Sequence, residues 1–369
     1  MKKKQIISLV IITVILGALV YFQFRSWQTF DWAKFRQYTG GVSLWHIGAG
    51  IGLIYVGYVL RAIRWAIFLK PTAPTSFRRL IGPQIIGFSA LGLFGRAGEF
   101  ARPYLIARKE KLTFTSQLAV WTVERFFDLG TVLLLMVGYL AFKGGALAQV
   151  LLQALHKGMQ MAARNAGHKL PFALVGLAVL VLLLLVLKRA SGSAAMVLRA
   201  RLYSFKQGFN TIHSVSSFIQ LVVVSMAMWL MIAGAYIQVL HSYPQIPVTL
   251  AGEQAGTQRV ARVNTMKLDD VLVVMGSSML GSVVQLPGGV GGSQLAVIGV
   301  LQSNLFSGEP YNISRELAVS CGIMLWLVTF MSVIPAGILL ARFEKISFLR
   351  LSEESSQEEE EVEAEVAGT

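Results

Sequence analysis

Three charged side chains lie close together in an otherwise apolar part of the sequence. Glu124, Arg125 and Asp128 fall inside the apolar stretch 117–142. A helix carries Glu124 and Asp128 on one face, and Arg125 is close enough to Asp128 for an ion pair. A charge near the middle of a membrane costs roughly 2.5 to 3.5 kcal/mol on insertion scales, so such groups face a bundle interior or an aqueous cavity. We favour a substrate or ion pathway over a purely structural buried network.

A second charged group follows another apolar segment. Arg96, Glu99 and Arg102 are spaced three residues apart, so a helix through them would carry all three on one face, with the acid between the bases. Guanidinium groups bind a phosphate through paired hydrogen bonds, and Glu99 would hold them in position. The spacing is compatible with a phosphate clamp. The alternative is an interfacial helix end whose arginines extend to the lipid headgroups.

Two further arginines lie within one apolar stretch. Arg61 and Arg64 share a helix face, and Arg61 lies nine residues before Lys70, about 13 Å at the helical rise. Arg125 lies nine residues after Ser116, so it reaches a similar depth. Unless Arg61 and Arg64 extend outward to the headgroups, we expect one polar cavity that opens to the cytoplasm. Its expected binding residues are Arg61, Arg64, Arg96, Glu99, Arg102, Glu124, Arg125 and Asp128.

A glycine-rich break interrupts the apolar segment 271–305. Pro287 ends one half-helix, the following glycines allow a tight reversal, and the N–H groups that begin the second half-helix point toward an anion. The Gly-Lys-Ser/Thr ending of a Walker loop is missing. At membrane depth this pattern predicts a broken-helix gate, with an ordinary loop as the alternative. The expected gate residues are Pro287, Gly288, Gly289, Gly291 and Gln294.

Composition places these residues in a polytopic all-α membrane bundle. Hydrophobic residues make up 54% of the chain and charged residues 14%, whereas soluble domains have about 25% charged residues. Apolar runs of about 18 residues or more are long enough to cross a membrane. We expect six full spans, or eight if two broken segments also cross. The spans are 5–24, 44–69, 117–142, 170–187, 218–240 and 316–340, and the broken segments, 80–95 and 271–305, are expected to be re-entrant.

The charge distribution indicates a topology. Lys and Arg accumulate in short cytoplasmic loops, and this rule predicts a multi-pass protein with both termini in the cytoplasm. The expected location is a bacterial-type inner (plasma) membrane. The net charge of +14 is explained by this topology and by anionic lipid rather than by nucleic acid. We expect a transmembrane domain over 1–350 and a disordered acidic tail over 351–369.

Metal and cysteine chemistry have little support. The single cysteine, Cys321, excludes an internal disulfide and a cysteine cluster. The five histidines are scattered along the chain. We therefore expect no metal site, no cofactor and no catalytic residue.

In their order and spacing, the three motifs resemble the lysylphosphatidylglycerol synthase transmembrane family, also called the flippase-like domain family. The segment 96–102 is similar to that family's Arg-x-Gly-Glu-x-x-Arg, the segment 124–128 to its Glu-Arg-x-x-Asp, and the segment 287–291 to its Pro-Gly-Gly-x-Gly. Two positions depart from the pattern. Phe94 stands where the family often has proline, and Gln294 stands where it usually has glutamate, which removes a negative charge.

The resemblance implies lipid translocation or lipid handling. Some members carry a soluble aminoacyltransferase domain that moves lysine from its tRNA to phosphatidylglycerol, and we expect this chain not to make lysyl-lipid itself. We expect a flippase-like protein that binds an anionic phospholipid or glycolipid headgroup. One alternative is a membrane-embedded transferase acting on a lipid-linked sugar or phosphate, with Glu99, Glu124 or Asp128 as base or metal ligand. Another is a non-catalytic subunit of an envelope lipid complex. The expected partner is membrane lipid, with an envelope-biosynthesis protein or a second copy of the chain as further options.

Overall fold

A computed structural model describes residues 30–143, 215–248, 259–282 and 291–348, together with Leu351, Glu354 and Gln357. These residues form the predicted all-α architecture, which is confirmed. The predicted spans 5–24 and 170–187 lie outside the described residues.

Ten α-helices and one small β-hairpin make up the described part of the chain. The helices are α1 (Trp32–Gly40), α2 (Leu44–Leu69), α3 (Phe77–Phe94), α4 (Ala101–Glu110), α5 (Phe114–Lys143), α6 (Val215–His241), α7 (Leu268–Gly281), α8 (Gly292–Leu301), α9 (Arg315–Trp326) and α10 (Val333–Phe343). Strands β1 (Ile246–Val248) and β2 (Arg259–Ala261) pair antiparallel, with Ile246 opposite Ala261. Short 3₁₀ turns cover Gly95–Gly98 and Val263–Thr265, and a π-helical turn, Leu327–Met331, joins α9 to α10.

Three helices in the described ranges are long and apolar enough to cross a membrane. They are Leu44–Leu69, Ser216–His241 and Arg315–Phe343, and they match the predicted spans 44–69, 218–240 and 316–340. Helix α5 covers the predicted span 117–142 as one helix of 30 residues. It carries Glu124, Arg125 and Asp128 in its middle.

The helices pack closely where small residues face a neighbour. Helix α2 packs along α6, and Gly50 lies against the Ala235 carbonyl and the Val239 side chain. Helix α10 packs on α3, where Gly337 leaves room for Ser89. The Ser89 hydroxyl lies 2.8 Å from the Ile85 carbonyl and 3.0 Å from the Val333 carbonyl, so it links the two helices. Small residues allow this approach because association inside a membrane depends on close packing rather than on the hydrophobic effect.

Helices α3 and α4 form an antiparallel hairpin. The Gly87 backbone touches Arg102, and near the other end Arg79 bonds to Glu110 at 3.1 Å. The chain reverses at Gly95, whose φ of 62° is accessible to glycine at little cost. Helix α3 continues through Pro83, so the break falls at the end of the segment 80–95 and not at its proline. Proline is tolerated inside a membrane helix because neighbouring groups satisfy the freed backbone.

Helices α7 and α8 form a second hairpin. The two helices pack together, and Gly281 lies against the backbone of Gly292 and the side chain of Ala296. The connecting residues 283–290, which include Pro287, lie outside the described residues. The re-entrant placement of both hairpins in a membrane stays a prediction.

The start of the predicted acidic tail contacts the first hairpin. Leu351 is 2% exposed and packs in a cluster that contains Ile86 and Leu105. The Tyr104 hydroxyl donates to Glu354 at 2.8 Å. Apart from these contacts, the disorder expected over 351–369 stays a prediction.

Replacing Gly87 by alanine tests the close approach within the first hairpin. The new Cβ would lie 2.5 Å from Cβ of Arg102 and 2.7 Å from its Cα, so the hairpin must open. We expect Gly87→Ala to destabilise the fold by about 1–3 kcal/mol, as overpacked sites do. Thermal unfolding of the purified protein in detergent measures this effect.

The matched control is Gly52→Ala in α2. No atom lies within 4 Å of a Cβ at Gly52, so this change should be neutral or slightly stabilising. Equal unfolding temperatures for the two variants would contradict the packing described for the hairpin.

Candidate functional site

Glu124 is the centre of a buried charge network. Its two carboxylate oxygens accept paired hydrogen bonds from Arg102 of α4, at 3.0 Å and 2.5 Å. It also accepts a hydrogen bond from Arg64 of α2. The side chains of Arg64 and Glu124 are each 1% exposed and that of Arg102 is 3% exposed. One carboxylate of α5 therefore joins two arginines from two other helices.

Asp128 completes this network one helical turn after Glu124. Its Oδ1 accepts from Arg64 at 2.7 Å and from the Trp229 indole of α6 at 3.2 Å. We call Arg64, Arg102, Glu124 and Asp128 the charged quartet. Its two positive and two negative groups balance, which lowers the cost of burying each one.

Uncharged side chains each accept one further hydrogen bond from the two buried arginines. Arg64 donates to the Ser225 hydroxyl at 3.1 Å, and Arg102 donates to the Gln84 side chain at 3.2 Å. The Arg102 guanidinium also lies 4.6 Å from the ring centre of Trp65, a distance at which a cation is attracted to the aromatic face. The quartet and its polar partners thus connect α2, α3, α4, α5 and α6.

A cavity of about 540 Å³ lies beside the quartet. The charged residues that line it are Arg61, Glu99, Arg125 and Asp128. Arg61 stacks on Phe88, 4.6 Å from the ring centre. Among the residues that the structure describes, neither Arg61 nor Glu99 has an ion-pair partner.

Arg125 is held more loosely than the arginines of the quartet. Its side chain is 43% exposed, and its nitrogens lie 3.9 Å from Glu124 and 3.8 Å from Asp128. These distances exceed the range of a hydrogen bond, so Arg125 keeps donors for a ligand in the cavity.

Both hairpins contribute to the cavity wall. Phe88 and Leu91 come from α3, and Met275 and Val297 come from α7 and α8. Gln294 also lines the cavity, and its side-chain oxygen accepts from the Gly291 backbone at 2.8 Å. The wall is therefore largely apolar, with polar groups at defined positions, as is typical of ligand-binding cavities.

The structure divides the residues predicted for the site into three groups. Arg61, Glu99, Arg125, Asp128 and Gln294 meet at the cavity. Arg64, Arg102 and Glu124 are buried behind its wall, so Arg64 does not extend outward to the lipid. The Arg96 side chain lies outside the described part of the structure, as do Pro287, Gly288 and Gly289. The remaining predicted residue, Gly291, directly precedes α8.

One expectation about the second motif differs from the structure. Arg96, Glu99 and Arg102 do not belong to one continuous helix, because a 3₁₀ turn ends at Gly98 and α4 begins only at Ala101. The change of direction points Glu99 to the cavity and Arg102 to Glu124.

Sequence reasoning missed the uncharged partners of the quartet. Gln84 is a polar residue in an apolar segment, and this gave a usable signal. Ser225 and Trp229 gave none, since both residue types are common in membrane helices that bind nothing. Within the described ranges, no three His, Cys, Asp or Glu side chains are grouped so that they could hold a metal ion.

One comparison with known proteins gives a match. The family model described as "Lysylphosphatidylglycerol synthase TM region" matches residues 5–337. No curated protein and no solved structure gives a significant match.

Replacing Arg102 tests the charged quartet. Arg102→Gln leaves the quartet with an uncompensated negative charge among buried side chains. We expect a loss of about 3–5 kcal/mol of stability, because breaking a buried ion pair strands the remaining charge. The measurement is the thermal unfolding of the purified protein in detergent.

Arg108→Gln on the same helix is the matched control. The Arg108 side chain is 69% exposed and lies 3.9 Å from Glu354, so its removal should cost less than about 1 kcal/mol. If Arg102→Gln were as mild as Arg108→Gln, the quartet would not be the main connection between these helices.

Proposed function

We propose a function from one premise: the chain belongs to the lysylphosphatidylglycerol synthase transmembrane family. This membership relates the protein to lipid handling in a membrane. Our proposal is that the protein binds the anionic headgroup of a phospholipid or glycolipid in the cavity beside the quartet and moves the lipid between the two leaflets.

The charge balance of the cavity is the observation that carries the proposal. The charged quartet is neutral, whereas Arg61 and Arg125 together outweigh Glu99 at the cavity surface. The described side chains of the site therefore carry one net positive charge. Guanidinium groups bind phosphate through paired hydrogen bonds, and a partly dry cavity strengthens that attraction. An anionic headgroup supplies the missing negative charge.

The proposal gives different roles to different charged residues. Arg61 and Arg125 contact the phosphate. Arg64, Arg102 and Glu124 hold α2, α4 and α5 together, so that the two contacting arginines keep their positions. Arg96, which the sequence assigns to the same clamp, remains a proposed phosphate contact.

The path of the lipid follows from the two hairpins. Both contribute apolar residues to the cavity wall, and such residues accommodate acyl chains. We infer that the hairpins are the gates, with Pro287, Gly288, Gly289 and Gly291 as proposed hinge positions. An opening to the cytoplasm, cytoplasmic termini and a bacterial inner membrane belong to the same proposal.

The ion pairs of Glu124 argue against this residue as the base of a transferase reaction. A general base or metal ligand needs a carboxylate with a free oxygen. Both oxygens of Glu124 are bonded to arginines. Asp128 accepts from Arg64 and Trp229 through one oxygen, and Glu99 lines the cavity, so these two acids are the candidates that a transferase would use. This arrangement supports a role for Glu124 in holding the helices and the arginines.

Reconstitution into lipid vesicles tests the proposal. Translocation of a fluorescent phosphatidylglycerol is measured as the fraction that a membrane-impermeant reductant reaches. We expect Arg61→Gln and Arg125→Gln each to slow translocation about tenfold, since a hydrogen bond to a charged group contributes about 1.5–3 kcal/mol. The control is Arg79→Gln, which removes an arginine that is 60% exposed and bonded to Glu110 away from the cavity.

Two results would count against translocation. One is a parent protein that moves no labelled lipid with any headgroup. The other is an activity that a metal chelator abolishes, which would support the transferase instead.

A further inference from the structure

The cavity wall also contains polar groups that carry no formal charge. Among them are hydroxyl groups from Tyr236, Ser278, Ser282, Ser293 and Thr329, all of which line the cavity. We call these five residues the hydroxyl wall. Three of them belong to the α7–α8 hairpin and its immediate flank, so this hairpin contributes recognition groups as well as apolar surface.

Most of these hydroxyls have already donated their hydrogen within the protein. Ser282 donates to the Met279 carbonyl at 2.7 Å, and Thr329 donates to the Leu325 carbonyl at 2.7 Å. Ser293 donates to Gln294 at 3.2 Å. A hydroxyl has one hydrogen and two lone pairs, so each of these groups can offer a ligand only an acceptor. Acceptors bind O–H or N–H groups and repel the oxygens of a phosphate.

Tyr236 and Ser278 of the hydroxyl wall lie away from Asp128. Trp229 lies next to the charged side chains, because it bonds to Asp128 at 3.2 Å. Tyr236 follows seven residues later on α6 and interacts with Ser278. Seven residues of helix span roughly 10 Å. A headgroup whose phosphate meets Arg61 and Arg125 therefore extends toward an uncharged, acceptor-rich surface.

We propose that the hydroxyl wall recognises free hydroxyl groups on the lipid headgroup. This inference rests on the proposed function and narrows its substrate class to anionic lipids whose phosphate carries a sugar or another polyol. The donors of a polyol match the acceptors of the wall. A quaternary ammonium group has no N–H hydrogen to donate, so it cannot form these hydrogen bonds with the wall.

The experiment compares two soluble anions that carry the same single negative charge. Glycerophosphoinositol has many hydroxyls, and diethyl phosphate has none. Their dissociation constants are measured by calorimetry on the purified full-length protein in detergent. We expect the parent protein to bind glycerophosphoinositol at least tenfold more tightly, which corresponds to one or two net hydrogen bonds.

Variants assign that preference to the wall. The double change Ser278→Ala with Ser282→Ala should weaken glycerophosphoinositol binding about tenfold and leave diethyl phosphate binding unchanged. Ser277→Ala is the matched control, because Ser277 has the same kind of bond to its own helix, at 2.8 Å to Val274, and does not line the cavity. Arg61→Gln should weaken both anions equally.

The outcomes separate this inference from the proposed function. If the parent protein binds both anions with equal affinity, and both affinities depend on Arg61, the hydroxyl wall has no role in recognition. The proposed phosphate site would still be supported. A double variant that loses both anions equally would also overturn the role of the hydroxyl wall. If neither anion binds the parent protein, both proposals fail. The comparison of the two anions on the parent protein needs no variant. It therefore tests the inference even if the double variant does not fold.

Discussion

The fold depends on one requirement: charges buried in an apolar bundle must be paired. Glu124 meets it by accepting hydrogen bonds from Arg64 and Arg102, which come from different helices. Arg102 depends on this carboxylate for its burial, Arg64 depends on it together with Asp128, and the carboxylate could not stay buried without the arginines. The close contact of Gly87 with Arg102 belongs to the same arrangement, because it brings α4 near enough for Arg102 to reach α5. Electrostatics and packing therefore select the same arrangement of helices.

This pairing separates stability from recognition. The charged quartet has no net charge and little exposure, so it acts on a ligand mainly through the helices that it holds. Arg125, which also faces the cavity, is bound less tightly, as its long contacts show. A site of this kind can exchange its ligand while the buried network stays intact. It also explains why charged residues next to each other in sequence, such as Glu124 and Arg125, have different surroundings.

Hydropathy predicted the elements of the fold better than their breaks. The predicted span 44–69 has the same bounds as α2. A long apolar run that crosses a membrane forms a helix, because a helix satisfies its own backbone hydrogen bonds. Equal depth also indicated that Arg61 and Arg125 would meet at one cavity. The division of arginines between cavity and interior could not be predicted, since it depends on which neighbour each helix face meets. The spacing of Arg96, Glu99 and Arg102 misled because it assumed one helix, whereas a 3₁₀ turn ends at Gly98 and α4 begins only at Ala101. The bond of Arg64 to Ser225 joins positions far apart in sequence, and no local pattern records it.

The π-helical turn between α9 and α10 sets how one long helix faces two neighbours. In this turn the Ser332 amide bonds to the Leu327 carbonyl, five residues back, so the turn contains one more residue than an α-helical turn. Before it, Leu325 and Trp326 face the cavity; after it, Gly337 faces α3. One residue corresponds to about 100° of helical rotation. In a regular α-helix of the same composition, one of these two surfaces would face away from its neighbour. The one extra residue therefore sets the angle between the surface that lines the cavity and the surface that packs against α3.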